Sequence, residues 1–370
     1  MSARQTPKRR ATRDAGLTLV ELMVTIVVAS LVASSTFVFF AGQQQIYETQ
    51  SKLLNVQQNL WLAMEVMARQ LRASGTGMVG CGPNGLRAWY QGSGAFRIPP
   101  VSIVNGAAGA PDEITFSFFT NTSGNYVDGD LTTTISMNYN GSNIKTTDSS
   151  PFREGEFLLL FDKTDNPPGG DRGCTLYQIT GIAGGSDLVI ANPSSPWNCE
   201  GQTPPELVPY DYTPANTGIR NLGTMNSTRF FITPAAAGQP PRLMVDDFND
   251  GGPPQLLAEG IEDMQISFAC DLQPAGNPDG ALVEGTDAAS RLLDEWTYNE
   301  PGDVPPVGCD VPTAIRITLF GRSITTDTSL FGTAGGGVSL TFKPAMEDGV
   351  AGPPDQFRHR TLTTTVYPRN

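Results

Sequence analysis

Histidine is almost missing from this 370-residue chain, with His359 the single one. A Ser-His-Asp or Cys-His arrangement has only that residue to draw on, and a His-Glu-x-x-His zinc helix cannot be composed. Set between Arg358 and Arg360 just ahead of the last strand candidate, His359 is expected to be a solvated surface residue. Charge is scarce too: 16% of residues are charged, with 24 Lys plus Arg against 37 Asp plus Glu and a formal net charge of −13. No basic patch with interleaved aromatics occurs, so nucleic acid is not an expected partner. No Gly-x-x-x-x-Gly-Lys segment exists to cradle a phosphate. Carboxylates are plentiful but form no pattern specific to glycoside hydrolysis, and the chain is not read as an enzyme.

Cysteine is limited to Cys81, Cys174, Cys199, Cys270 and Cys309. None lies within metal-ligand spacing of another, so no zinc site is expected. In an oxidising compartment they would form disulfides. Neighbouring pairs Cys174–Cys199 and Cys270–Cys309, with Cys81 alone, are the first reading, although four cysteines allow three pairings. The acidic turn Asp246-Asp247-Phe248-Asn249-Asp250-Gly251-Gly252 offers oxygen ligands for Ca²⁺, but Phe248 occupies a ligand position of the EF-hand register. It is read as a solvated turn, as are Asp128-Gly-Asp130 and Asp162–Asp171.

What the chain does have is one long apolar run. From Leu17 to Ala41 Glu21 is the only charged residue. A helix of that length reaches roughly 38 Å, enough to cross a hydrocarbon core of about 30 Å. Ahead of it lie Arg4, Lys8, Arg9, Arg10 and Arg13, opposed only by Asp14. Basic residues before a first span hold that end in the cytoplasm, which places the chain after Ala41 across the membrane. The run is longer than a secretory signal's apolar core and ends in no small-x-small cleavage site. A plain signal anchor remains an alternative, but it leaves Glu21 unexplained. A carboxylate in the first turn of a membrane helix costs about 2.5–3.5 kcal/mol on insertion scales, and such residues are usually functional. The positive end of the helix dipole offsets part of that cost. Cleavage after Gly16 would leave a new amine on Leu17, four residues from Glu21 and able to pair with it in the same or a neighbouring chain.

Gly16-Leu17-Thr18-Leu19-Val20-Glu21-Leu22-Met23 resembles the class III signal of type IV prepilins and pseudopilins. In that family a membrane peptidase cuts after the glycine and methylates the new N-terminus. The resemblance implies Gly16 as the cleavage-site residue, Leu17 as the N-methylated mature N-terminus in place of the usual phenylalanine, and Glu21 as the assembly glutamate. Residues 1–16 become a leader peptide, 17–41 the membrane and assembly half of a helix, and 42–74 its amphipathic half.

In that second half apolar residues recur at Ile46/Tyr47, Leu53/Leu54, Leu60/Trp61, Met64, Met67 and Leu71, which is helical spacing. Trp61 and the methionines are expected in the core. Ser74-Gly75-Thr76-Gly77 supplies a stop. Cys81–Pro100 reads as a glycine-rich loop over the helix. Forty glycines and 29 prolines then punctuate β-branched and aromatic runs, predicting a loop-rich β domain over 75–370. Strand candidates are Glu113–Phe119, Leu131–Tyr139, Glu156–Phe161, Cys174–Ile182, Leu188–Ala191, Arg229–Thr233 and Leu243–Val245. Later ones are Met264–Cys270, Ala314–Phe320, Val338–Phe342 and Leu362–Tyr367.

Three segments resemble PilW-type minor pilins: Leu257–Ile266, leading into a central strand; Ala314–Ser323, the strand that follows; and Arg358–Val366, the terminal strand. The region of about 81–228 resembles nothing identifiable, whereas 229–370 matches the PilW-like sheet region. The implied fold is α+β and type IV pilin-like, a long N-terminal helix packed on an antiparallel sheet domain with loop-rich insertions. The implied function is that of a minor pilin, made in the inner membrane, priming pilus assembly and sitting at the tip. Its implied partners are the prepilin peptidase, other minor pilins, the major pilin and a PilY-type tip adhesin. Alternatives are a J-type pseudopilin of a type II secretion tip complex and a pilus-displayed adhesin or carbohydrate-binding module.

Overall fold

The computed structural model describes residues 18–78, 86–90, 94–107, 109–120, 135–136, 143–163, 174–190, 195, 197–198, 212–236, 239–248, 252–271, 280–284, 294–298, 312–326, 341–342, 354–355 and 357–368. A single helix, α1 (Leu19–Ala73), is followed by β1 (Leu86–Tyr90), β2 (Gly94–Ile98), β3 (Val101–Val104) and β4 (Glu113–Thr120). Next come β5 (Asn143–Lys145), β6 (Phe157–Asp162), β7 (Cys174–Gln178), β8 (Gly181–Ala183) and β9 (Asp187–Val189). β10 (Thr217–Thr233), β11 (Arg242–Asp247), β12 (Gln255–Glu259) and β13 (Ile261–Ala269) follow. The chain closes with β14 (Trp296–Thr297), β15 (Ala314–Arg322), β16 (Thr341–Phe342), β17 (Pro354–Asp355) and β18 (His359–Val366). The class is α+β.

By internal contacts the chain divides into Met1–Lys52 and Leu53–Asn370. The first unit contributes the apolar part of α1. In the second, a large sheet runs β12-β11-β10-β6-β7-β1-β2, with β4 also paired to β10 and β3 to β4. A smaller sheet runs β14-β13-β15-β18. Pairing is antiparallel apart from β1 and β7, which meet in parallel at Arg87 and Thr175. β5, β9 and β8 form a separate three-stranded sheet, and β16 pairs with β17.

The helix from Leu53 onward buries one stripe: Val56, Leu60, Ala63, Met64, Met67, Ala68 and Leu71. It packs on the alternate apolar residues of the smaller sheet: Met264, Ile266 and Phe268 from β13, Ile315, Ile317 and Leu319 from β15, and Val366 from β18. Phe116, Phe230 and Leu243 from the larger sheet join the same cluster. Each fully buried large side chain here contributes about 1.5–3 kcal/mol. Close approach is set at Gly321, where an added Cβ would lie 3.2 Å from Leu60 and 3.3 Å from Val56. Asn59 pins the same stretch of helix by donating Nδ2–H to the Glu259 carbonyl at 2.8 Å. After Ala73 the Gly75 amide donates to the Ser117 carbonyl at 3.0 Å and Phe119 donates back to Thr76 at 3.1 Å, which joins the helix end to β4.

Three sequence expectations are corrected. Cys81–Pro100 is not simply a loop, because β1 and β2 form a hairpin with Leu86 opposite Ile98 and Tyr90 opposite Gly94. Leu86, Ala88 and Ile98 are buried, so the alternation there was real but masked by flanking glycines. The Arg229–Thr233 strand is only the end of the 17-residue β10. Its first part carries the turn-like Arg220-Asn221-Leu222-Gly223, and the register shifts between Asn221 and Gly223, a bulge with Gly223 at φ 70°. That bulge lets one strand pair with β6 before it and with β4 and β11 after it. The sequence therefore reads as a break where the strand bends. Trp61 is not a core residue. It is 65% exposed, whereas Leu60 beside it is buried, because neighbours on a helix differ by about 100° in direction. Of the Leu131–Tyr139 strand only Ile135 and Ser136 are described, with Ile135 in an isolated bridge to Thr146.

Candidate functional site: the head of the apolar helix

Gly16 and Leu17 lie outside the described residues, so the candidate site begins at Thr18. The Glu21 amide donates to Thr18 Oγ1 at 3.3 Å and the Leu22 amide to the Thr18 carbonyl at 3.1 Å. Thr18 is thus the N-cap and Glu21 sits at the third helical position, the Thr-x-x-Glu spacing of a capping box. Sequence reasoning missed this role, though the spacing was visible just ahead of the apolar run. Glu21 is exposed, and among the described residues its carboxylate has neither a hydrogen-bond nor an ion-pair partner. A carboxylate at a helix N-terminus meets the positive end of the dipole and remains able to accept an amine.

Beyond Glu21 every large apolar side chain from Leu19 to Phe40 is exposed, including Leu31 at 66% and Phe37 at 75%. Such a surface far exceeds the few hundred Å² that soluble monomers leave uncovered. The hydroxyls within it are satisfied inside the helix. Thr25 donates to the Leu22 carbonyl at 2.8 Å, Ser30 to Val27 at 2.8 Å, and Ser34 to Ser30 at 2.8 Å. Ser35 donates to Val32 at 2.9 Å and Thr36 to Val32 at 2.8 Å. The segment consequently presents no hydroxyl hydrogen to its surroundings, which suits lipid or other apolar helices. Its length and composition are sufficient to cross a membrane.

Further along α1, Tyr47, Leu54 and Trp61 follow at seven-residue spacing and are 72%, 55% and 65% exposed. Gln, Asn and charged residues flank them.

The remaining candidates fall elsewhere. Cys174 and Cys270 are both disulfide-bonded; Cys81, Cys199 and Cys309 lie outside the described residues. Asp246 is engaged by Arg229 at 3.2 Å, and Arg229 also reaches Glu113 at 3.6 Å. Asp128, Asp130 and residues 164–171 lie outside the described residues. His359 is not solvated: its side chain is 7% exposed, stacked on Phe320 at 4.9 Å, with Nε2 3.7 Å from a Glu262 carboxylate oxygen. It opens β18 opposite Arg322, so strand pairing draws it inward.

The family described as the prokaryotic N-terminal methylation motif matches residues 12–37. No curated protein matches the chain. Among solved structures, the type IV-like pilin TTHA1219 from Thermus thermophilus is similar over 84% of this chain and 95% of its own, at 10% identity and a TM-score of 0.32. Gly16, Thr18 and Glu21 all fall inside the matched segment: the chain carries a prokaryotic N-terminal methylation motif at the head of an exposed apolar helix.

Proposed function

We propose that this protein is a type IV pilin-like subunit that is processed after Gly16 and packed into a filament by α1. The observation that carries the reading is the methylation motif over 12–37 set on a helix whose apolar side chains are uncovered and whose Glu21 carboxylate is unpaired among the described residues. Lateral association in the inner membrane replaces lipid with neighbouring helices. Glu21 then accepts the N-terminal amine of an adjacent chain. An unpaired carboxylate buried between apolar helices is costly, so this pairing selects the register of assembly.

The finer reading is a PilW-like minor pilin that primes assembly and stays at the tip, in contact with other minor pilins, the major pilin and a PilY-type adhesin. Its support is the PilW-like resemblance of three segments that fold side by side: β13, β15 and β18 are consecutive strands of one sheet, and β12 leads into the first. In-frame deletion in the native host, scored for surface pili, twitching and secreted enzymes, tests it. Loss of pili and motility with normal secretion is the expected result. Retained pili with enzymes trapped in the periplasm would assign the protein instead to a type II secretion tip.

A further inference from the structure

β18 is the outer strand of the smaller sheet. All eight of its residues pair with β15, in continuous register from Ile315↔Val366 to Arg322↔His359. Among the described residues no other backbone group pairs with Arg360–Val366, and their one side-chain hydrogen bond runs back to β15, between the hydroxyls of Thr363 and Thr318 at 3.1 Å. Three other outer strands carry protection. β14 has two residues, β3 has four and follows Pro99-Pro100, and β12 has five and is bulged against β11 between Leu243 and Met244. β18 has no bulge, glycine or proline, and Arg360 and His359 are its only ionisable residues. Thr361, Leu362, Thr363, Thr364, Thr365 and Val366 all favour extended backbone. A long edge of this kind, carrying one arginine, is a template for another strand.

We propose that this edge is completed by an extended segment of a different polypeptide, paired along Arg360–Val366. The two faces of β18 specify its chemistry. Leu362 and Val366 belong to the core under the helix, so the added strand carries apolar residues at alternate positions on that side. Arg360 shares that side, is exposed and has no ion-pair partner among the described residues, so the position opposite it is acidic. Thr361, Thr363 and Thr365 are exposed on the other face, where the added residues are polar.

A second copy of this chain does not fit. Antiparallel pairing of two β18 strands sets no carboxylate opposite Arg360, because the strand His-Arg-Thr-Leu-Thr-Thr-Thr-Val carries none. A head-to-tail repeat needs a long edge on the opposite side, and there β14 offers two residues.

Residue-resolved hydrogen exchange on the full chain in nanodiscs tests the proposal. In the free protein alternate amides from Arg360 to Val366 exchange quickly and the others slowly. The probe is a blocked nine-residue peptide alternating valine and threonine with aspartate at the end that meets Arg360. It slows the outward amides at least tenfold, and Arg360→Glu shifts preference at least tenfold toward the same peptide with lysine in place of aspartate. Outward amides that are slow in the free protein at every concentration would show the edge covered by its own chain and overturn the proposal. Slowing that grows with protein concentration, with dimers in sedimentation, would make the second copy the occupant and overturn it too. So would failure of the peptides to protect the strand. The filament reading fails separately, through normal incorporation of a Glu21 variant.

Discussion

The amide of Glu21 is bound to the hydroxyl of Thr18 at 3.3 Å, so the residue that supplies charge at the head of α1 also occupies the third position of its cap. Capping and charge can be separated by substitution. Thr18→Ala removes the cap acceptor at a cost of about 1 kcal/mol of helix stability but keeps the carboxylate. Glu21→Gln keeps a side chain suited to a capping box and deletes the charge. If pairing with a neighbour's amine selects register, Glu21→Gln and Glu21→Ala lose incorporation into sheared filaments by at least tenfold while remaining folded and membrane-bound. Thr18→Ala loses far less. Immunoblots of filament and membrane fractions decide, and normal incorporation of both Glu21 variants would refute the charge role.

The helix–sheet core predicts two stability effects of opposite cause. Met67 is fully buried, and Met67→Ala leaves a cavity costing about 2–5 kcal/mol. Gly321→Val puts branched carbon where Leu60 and Val56 already stand within 3.3 Å of a Cβ, an overpacking penalty of about 1–3 kcal/mol or more. Both lower Tm in thermal scans of the full chain in detergent, and an unchanged Tm for either would mean that the helix does not pack as described.

Asp112 is 1% exposed and spans two elements, accepting the Gly106 amide at Oδ1 and the Ile266 amide at Oδ2, each at 2.7 Å. Asp112→Ala strands the buried Ile266 donor at about 1–3 kcal/mol and frees the half-buried Gly106 donor at less. Tyr298 lies in its field, in the left-handed region at φ 63° with its ring edge-on to Phe268 at 5.4 Å. Burial and then the Asp112 charge push the Tyr298 phenol above its ordinary range. A raised folded value favours the neutral phenol in the native state. Its contribution is therefore complete below the unfolded value of about 10 and is lost as pH rises through the folded one. Tyr298→Phe keeps the ring contact and removes that titration, so its stability falls less steeply above about pH 10 in urea titrations than that of the parent. Identical slopes would exclude the coupling.

Cys174 and Cys270 are disulfide-bonded, and the nearest partners in sequence are Cys199 and Cys309. Non-reducing peptide mapping is expected to recover those two pairs with Cys81 free. Each closes a loop worth about 3–4 kcal/mol in the chain-entropy model, so Cys174→Ser or Cys270→Ser lowers Tm under oxidising conditions and changes little under reducing ones. A Cys81-containing pair would overturn the assignment.

The class of fold was legible because two periods are written plainly in the chain: 3.6 from Val56 to Leu71 and 2 in Met264–Phe268 and Ile315–Leu319. The junction was legible too, since Gly75 and Gly77 stand where the helix stops. Illegible features depend on contacts distant in sequence. β10 reads as broken at Gly223 because a bulge uses turn residues, and β1–β2 hides its alternation between glycines. His359 looks solvated between two arginines, and only its pairing opposite Arg322 brings it under Phe320. At the candidate site Glu21 was conspicuous as a lone charge, yet its capping role needed Thr18 to be read with it.

Trp61 shows how such an error becomes informative. Helical spacing placed it beside Leu60 in the core, but the core face is already filled by Leu60, Ala63, Met64 and Met67. It stands outside with Leu54 before it, and Tyr47 precedes both at the same seven-residue interval. A seven-residue apolar repeat among polar neighbours is the pattern by which one helix meets another. Trp61→Ala and Leu54→Ala should therefore change the subunit's own stability by less than about 0.5 kcal/mol, as surface substitutions do. Incorporation into filaments should fall about severalfold if this seam continues the packing of the apolar segment, since a buried indole anchors interfaces strongly. Thermal scans and filament fractionation on the same variants separate the two roles. A large fall in Tm would return Trp61 to the core, and unchanged incorporation would end the packing seam at Phe40.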